Sequence, residues 1–540
     1  MSSILSPTTV RELDGARMLQ QQGRAADAET AYRRILLRER GCEPAAVGLG
    51  RLLLDQGRAE EAQALARPFI RKGKAGVSML SVSAAALKAL GHKAESLAVY
   101  QAAAAVAPDS AATAHNVAAG LGDAGRNAET VIEAERAFRL GLDAPETWLV
   151  YGRALQGLRR LDDAQAAFER ALARRPTYGD AARDLGQLIW MRGGSAQSAL
   201  AAIDTALALA PHDTTLALVK TRMLGHVIDE AAALDHARSA LAATPGDPNL
   251  ALELSRLSLS VAPHQAHDLA QQVLSDFPDS PGAMRALCQA RLALGEVVGA
   301  AQLASALLAR DDRDQQAIAD LASAWRLASD PRGADLYDYD RMVRAQPLDT
   351  PPGWSRLEDY LADLRTALIA LHAWKAHPLE QSLRGGSQTA QNLTLSDDPA
   401  IQGFFTAIQG PIRAYRDALG SGQDPLRRRN RGSVHVHGAW SVRLAPRGFH
   451  VDHIHPEGWL SSACYIDVPD AVRDTETKAG WLRFGQPATP APGLTAEHFV
   501  RPEPGLLALF PSYMWHGTVP FEGDQPRMTL AFDLISDAAR

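Results

Sequence analysis

From the N-terminus to about Pro331, apolar side chains recur at i, i+3, i+4 and i+7 in short paired runs, as from Arg58 (RAEEAQALAR) and from Ser81 (SVSAAALKAL). Each pair reads as a helical hairpin. A Gly-Arg-x-x-[Asp/Glu]-Ala motif opens at Gly23 (GRAADA) and returns, with variation and at one constant interval, at Gly57, Gly91, Gly125 and Arg159. A further copy at Gly193 (GGSAQSA) carries one inserted residue. The glycine predicts a turn that needs positive φ. Ala28, Ala62, Ser96 and Ala164 let helices approach closely, and Tyr32, Tyr100 and Phe168, at equivalent places after their turns, fill the space between them. Beyond about position 210 the pattern loosens, yet Gly225, Pro245, Pro278 and Gly295 still punctuate helical runs to Pro331. We therefore divide the chain into a helical array over 1–330 and a second domain over 331–540.

In the second part the alanine-rich character fades and six of the nine tryptophans gather. Leu357, Leu361, Leu364, Leu368 and Leu371 form one helical stripe, and Ile401, Phe404, Phe405, Ile408, Ile412 and Tyr415 another. Gln381–Thr389 between them, with two glycines, reads as a loop. From Ser433 six strand-length segments follow (SVHVH, WSVRL, SACYIDV, WLRF, LLALF, RMTLAFDL), separated by Pro/Gly turns, which predicts an antiparallel barrel or jelly roll with flanking helices. The basic run Arg427–Arg429 is expected to be a solvated edge device.

Composition narrows the classes. At 540 residues the chain exceeds the roughly 100–200 residues of one domain. Its net charge of −6 lacks the basic footprint of nucleic-acid binding. Cys42, Cys288 and Cys464 are too scattered for a disulfide framework or a cysteine zinc site, and no long apolar run predicts a membrane span. A cytoplasmic protein is expected.

The candidate chemistry lies among the histidines. Seven of sixteen fall between His435 and His516. The segment GFHVDHIHPEGW offers two neighbouring pairs, His450/Asp452 and His453/His455, each with one residue between its members and so on one face of an extended strand. The two pairs have opposite parity and cannot both face one ion. His516 in FPSYMWHG would close either set. Imidazoles, with or without a carboxylate and with open positions, are the ligands of non-haem Fe(II) oxygenases. Further on, Arg527 stands in an apolar strand, followed by Thr529, and needs an anionic partner. That partner is a bound dicarboxylate or, within the protein, Asp467 or Asp533. His435 and His437 are expected to be structural, while Trp459 and Trp515 flank the proposed site.

The helical array resembles the tetratricopeptide repeat, a superhelical solenoid whose groove binds peptides or proteins. The layout H-x-[D/H], His and Arg-x-[Ser/Thr] resembles the 2-oxoglutarate- and Fe(II)-dependent oxygenases. More narrowly, HIHPEGWLSSACY, FPSYMWH and the upstream SLRGGSQT resemble bacterial 2OG-Fe(II) oxygenases with N-terminal tetratricopeptide repeats. The resemblance implies a double-stranded β-helix, Fe(II) and 2-oxoglutarate as cofactors, O2 consumption, and hydroxylation of a protein or peptide recruited by the repeats. It favours His453, His455 and His516 as ligands, leaving His450 and Asp452 as the alternative register. Arg527 and Thr529, with Tyr465 and Ser462, would hold 2-oxoglutarate. An all-histidine set also leaves room for a cupin-like metal enzyme, and a repeat-based binding protein with a degenerate barrel is the non-catalytic alternative.

Overall fold

A computed structural model describes residues 5–71, 73 and 75–537. Among them nineteen helices, α1 (Pro7–Gln21) to α19 (Gln315–Leu327), fill the repeat region. At the motif turns Gly23, Gly57, Gly91, Gly125 and Gly193 have φ between 71° and 88°. Arg159, where the motif lacks glycine, is held at φ 62° in the same left-handed slot. Tyr32, Tyr100 and Phe168 are buried, and the close approach they require falls at glycine: a Cβ on Gly152 would sit 2.6 Å from Phe168. Gly225 does not mark a turn. It belongs to the last turn of α13 (Thr214–Val227), and α14 (Glu230–Ala243) starts instead from Asp229, whose carboxylate accepts the Ala232 N–H.

The compact units of the chain are Met1–Ala181 and Ala182–Arg540, so the division falls inside the array rather than at its end. Within the second unit, Ile318, Ala319 and Ala322 of α19 share one apolar core with Leu364, Phe404 and Leu507. Arg326 donates to the Gly485 carbonyl at 2.7 Å and pairs with Glu497 at 2.8 Å. The last repeat helix is thus built into the C-terminal domain.

That domain continues through α20 (Pro331–Leu336), α21 (Tyr339–Met342), β1 (Arg344–Pro347), α22 (Leu357–Leu371), β2 (Leu383–Gln388), α23 (Pro399–Ala407) and α24 (Gln409–Leu419). Then come β3 (Val434–His450), β4 (Leu460–Asp467), β5 (Leu482–Phe484), β6 (His498–Val500), β7 (Leu506–Pro511), β8 (His516–Thr518) and β9 (Arg527–Ser536). The strands form two antiparallel sheets, ordered β1-β7-β4-β9-β3-β2 and β6-β5-β8, consistent with a jelly roll.

Three expectations need correction. The second apolar stripe is two helices, because Pro411 has no N–H for the Ala407 carbonyl, which accepts from Asp349 instead. The glycine-rich loop is strand β2, an edge strand bulged at Gly385 and Gly386. A Cβ on Gly386 would lie 2.4 Å from the Arg443 carbonyl, so glycine permits the pairing rather than preventing it. Arg427–Arg429 is a 3-10 turn, not a solvated edge: Arg427 pairs with Asp424, Arg428 with Asp312, and Arg429 is half-buried.

Candidate metal centre

Strand β9 sets the floor of a cavity of about 930 Å3. Its alternation decides which residues face inward: Arg527, Thr529, Ala531 and Asp533 line the cavity, while Met528, Leu530, Phe532 and Leu534 enter the apolar core on the other face. Above this floor an extended segment carries His453 and His455, with Ile454 between them buried in the core. His453 and His516, at the start of β8, exchange backbone hydrogen bonds of 2.9 and 3.1 Å, and the His455 N–H donates to the Ser512 carbonyl. These bonds bring three imidazoles together, with one nitrogen of each lying within 4.8 Å of the others.

The outer nitrogens fix the tautomers. Nδ1 of His453 lies 2.8 Å from the Val451 carbonyl, Nδ1 of His516 2.9 Å from the Met514 carbonyl, and Nδ1 of His455 2.6 Å from Asp533 Oδ1. Each partner is an acceptor, so Nδ1 carries the proton and Nε2 keeps its lone pair. Nε2 of His453 and Nε2 of His455 face each other at 3.3 Å, an arrangement that calls for a cation between them. Burial, reinforced by His455, pushes the His453 imidazole down to about 3, and burial together with His453 lowers His516 well below the usual range. His453 and His516 are thereby held in the neutral form that metal ligation requires.

The other sequence candidates lie outside the three-imidazole cluster, although His450, Ser462, Arg527 and Thr529 line the same cavity. Asp452 points away from the cluster into a two-bond pair with Arg483 on β5, at 2.9 and 2.7 Å, and burial raises its carboxyl despite that arginine. His450, at the end of β3, stacks beside His453 with ring centroids 5.7 Å apart and places Nδ1 2.9 Å from Ser382 Oγ. Ser462 has the core-facing parity of Leu460 and Cys464, and its hydroxyl both donates to and accepts from the Phe532 backbone. Tyr465 lies under Arg527, the guanidinium carbon 5.0 Å from the ring centroid. Both intraprotein partners considered for Arg527 are engaged: Asp467 pairs with Arg365, and Asp533 holds His455 and Ser461. Among the described residues Arg527 has no carboxylate partner, and its Nε and the Tyr465 Oη are buried without a hydrogen bond. Trp459 is core, donating to the Leu426 carbonyl, and Trp515 is buried as well. The tryptophan lining the cavity is Trp440.

Sequence reasoning missed Ser382, Arg384, Trp440 and the role of Asp533. Ser382 and Arg384 stand in the SLRGGSQT segment that carries the resemblance, and Asp533 shares its parity with Arg527 along β9. It also missed that helices α13, α14 and α15 (Pro248–Ser258) supply one wall of the cavity.

An array of helical hairpins followed by antiparallel sheets around a histidine cluster defines a repeat protein with a C-terminal domain that carries a candidate metal centre. Residues 13–75 and 149–214 match the tetratricopeptide repeat family, and residues 438–533 match the family described as "Putative 2OG-Fe(II) oxygenase". The chain carries tetratricopeptide repeats and a C-terminal domain of that oxygenase family. No curated protein matches it. Similar solved structures include a thermophilic TPR protein in Thermus thermophilus (21% identity, 34% of this chain and 99% of that one, TM-score 0.30). Another is a tetratricopeptide repeat protein from Parabacteroides merdae (12% identity, 47% and 100%, TM-score 0.38). Among the described residues no helix is long and apolar enough to cross a membrane.

Proposed function

We propose that the protein is an Fe(II)- and 2-oxoglutarate-dependent dioxygenase, acting in the cytoplasm on a protein or peptide recruited by its repeats. The observation that carries the reading is the pairing of a three-histidine cluster with a buried arginine that, among the described residues, lacks an anionic partner on the floor of the same cavity. His453, His455 and His516 would hold Fe(II) through Nε2, and the acceptors at each Nδ1 orient the rings. Arg527 would bind the distal carboxylate of 2-oxoglutarate, with Tyr465 Oη and Thr529 beside it. A buried guanidinium without a counter-charge is costly, and a bidentate carboxylate relieves that cost while fixing orientation. Fe(II) with 2-oxoglutarate supplies O2 activation, releasing CO2 and succinate. The protein's part is to keep the ligands unprotonated, to orient the cosubstrate and to enclose the site. We take the repeats, residues 1–330, as the recruiting part and 331–540 as the oxygenase domain, although α19 is shared between them.

His516→Ala is expected to lose iron and succinate formation with helix and strand content retained; unchanged iron occupancy would rule out the site. Arg527→Lys keeps the charge but loses the planar fork, so 2-oxoglutarate affinity is expected to fall about tenfold or more with iron binding intact. The absence of a carboxylate from the histidine set favours one second reading, a cupin-like metal enzyme that uses no 2-oxoglutarate. Equal 2-oxoglutarate binding in wild type and Arg527→Lys would favour that reading.

A further inference from the structure

Beside the proposed cosubstrate site, the cavity holds a second arginine that nothing yet described employs. Arg384 lies on β2, one residue removed from Ser382, whose Oγ is 3.3 Å from His453 Nε2. Alternate residues on an extended segment share a face, so Arg384 projects toward the same cavity, which it lines. Its Nη1 donates to the Gln381 and Leu383 carbonyls at 2.7 and 3.0 Å, while Nε and Nη2 have no partner among the described residues. Among the described residues no carboxylate forms an ion pair with it; Glu230 acts on it only through space, and burial lowers its pKa.

The carboxylates around it are mostly committed. Asp533 is held by His455 and Ser461, Glu457 by His437, and Glu253 is shared between Arg256 at 2.7 Å and Arg222 at 3.9 Å. Glu230 of α14 lines the wall formed by α13–α15 and balances its charge, Arg222 and Arg256 standing against Glu230 and Glu253, and neither Glu230 nor Glu380 forms an ion pair with Arg384 among the described residues. That wall is tied to the segment leading into β2, because the Glu380 N–H donates to His226 Nε2 at 3.0 Å. A fixed, half-buried guanidinium with an open fork is built for a planar carboxylate.

We propose that Arg384 binds a carboxylate of the substrate to be hydroxylated, in the cavity between helices α13–α15 and the sheet. This rests on the oxygenase reading and specifies its substrate class. The carboxylate belongs to a peptide, as a C-terminus or an acidic side chain, or to a free amino acid. A cavity of about 930 Å3 that also takes 2-oxoglutarate admits one such group and its neighbouring atoms rather than a folded surface.

The test uses the full chain with saturating 2-oxoglutarate, so that Arg527 is occupied. Four probes are compared: an N-acetylated tripeptide amide pool without Asp or Glu, the same pool with them, the first pool with free C-termini, and a mixture of free L-amino acids. Binding is read by saturation-transfer NMR on Zn(II)-loaded protein, and coupling by succinate formed above the 2-oxoglutarate background with Fe(II). At least one carboxylate-bearing probe is expected to bind about tenfold or more better than the carboxylate-free pool, and the responding probe identifies the source. Arg384→Gln should remove that preference, Arg384→Lys should restore it in part, and iron content and titrated 2-oxoglutarate affinity should hold in both. Equal binding of the carboxylate-free pool, no binding by any carboxylate probe, or a preference that survives Arg384→Gln overturns the proposal. So does a loss of 2-oxoglutarate affinity in Arg384→Gln, which would assign the arginine to the cosubstrate. Carboxylate binding that depends on Arg384 without any succinate formation would instead sink the oxygenase reading and leave the site standing.

Discussion

The repeats before Ala181 and those after it are made of the same helical hairpins, yet they obey different constraints. In the first set each hairpin packs on others of its kind, so the same turn conformation and the same small-against-aromatic contact return from one repeat to the next. In the second set several helices face a sheet or a cavity. There the left-handed glycine is missing between α13 and α14, and α13 and α15 present Arg222, His226, Glu253 and Arg256 to the cavity. Loss of the repeat signature accompanies the gain of a second surface to satisfy. A repeat that departs from its consensus can therefore mark the place where a solenoid becomes part of another structure.

The harshest way to break this comparison is to cut along it. A chain beginning at Pro331 removes Ile318, Ala319 and Ala322 from the shared core and deprives Glu497 of Arg326. Losing these core side chains at about 1–3 kcal/mol each, together with the Arg326–Glu497 pair, removes a large part of the roughly 5–15 kcal/mol that holds an ordinary domain. That fragment is expected to be insoluble or unfolded by circular dichroism, whereas one beginning at Ala182 should fold and bind metal. A soluble, metal-binding fragment from Pro331 would show that the late repeats are separable after all.

The next effect separates the two histidine registers. His455→Ala removes a converging Nε2 and is expected to lower metal affinity by orders of magnitude. Asp452→Asn should leave metal bound within about tenfold and cost stability through the half-buried Arg483 it abandons. The reverse result, read by metal titration, would put the ion on the other pair. This is also where legibility in the sequence ended. Turn glycines were legible because φ > 0 is a local demand, and the cavity face of β9 because alternation is a local rule. Which pair faces His516 depends on the bridge at His453, a contact between segments far apart in the chain that no local pattern carries. Strand β2 was hidden for the opposite reason: its glycines look like a turn and are needed for a bulge. The wall from α13–α15 left no trace, because a helix facing a cavity uses the polar residues of one facing water.

Acid should sharpen the contrast between the two regions. In the second unit burial holds His226, His372 and His377 down to about 4 and His453 to about 3. Unfolded histidines titrate near ~6.5, so below that pH the unfolded chain binds more protons than the folded one. Stability is then complete above ~6.5 and falls as pH drops toward the folded values, by at most about 1.4 kcal/mol per pH unit for each histidine and less where solvent screens it. In residues 1–181 only His115 is lowered in this way among the described residues. Carboxylates such as Asp143, held low by Arg174, titrate later still. Hydrogen exchange on metal-free protein should show residues 182–537 losing protection between pH 7 and pH 5 while residues 5–181 keep most of theirs. Parallel loss in both would refute the assignment of buried neutral histidines to one side.

The smallest expected effect tests the rule that defines the regular side. Arg159 is the one motif turn before Ala181 that adopts the left-handed conformation without glycine, at φ 62°. A non-glycine residue there carries roughly 1–2 kcal/mol of backbone strain, whereas glycine removes the strain but leaves a more flexible unfolded chain, at about 0.5–1 kcal/mol. Arg159→Gly should therefore stabilise the repeats by less than about 1 kcal/mol. Gly125→Ala, which puts a Cβ on a residue held at φ 71°, should destabilise them by about 1 kcal/mol through backbone strain. Chemical denaturation of both variants checks the pair. If Arg159→Gly destabilises as much as Gly125→Ala, the turn at Arg159 is held by its side chain and not by backbone conformation, and the fifth motif turn is a junction rather than a repeat of the four before it.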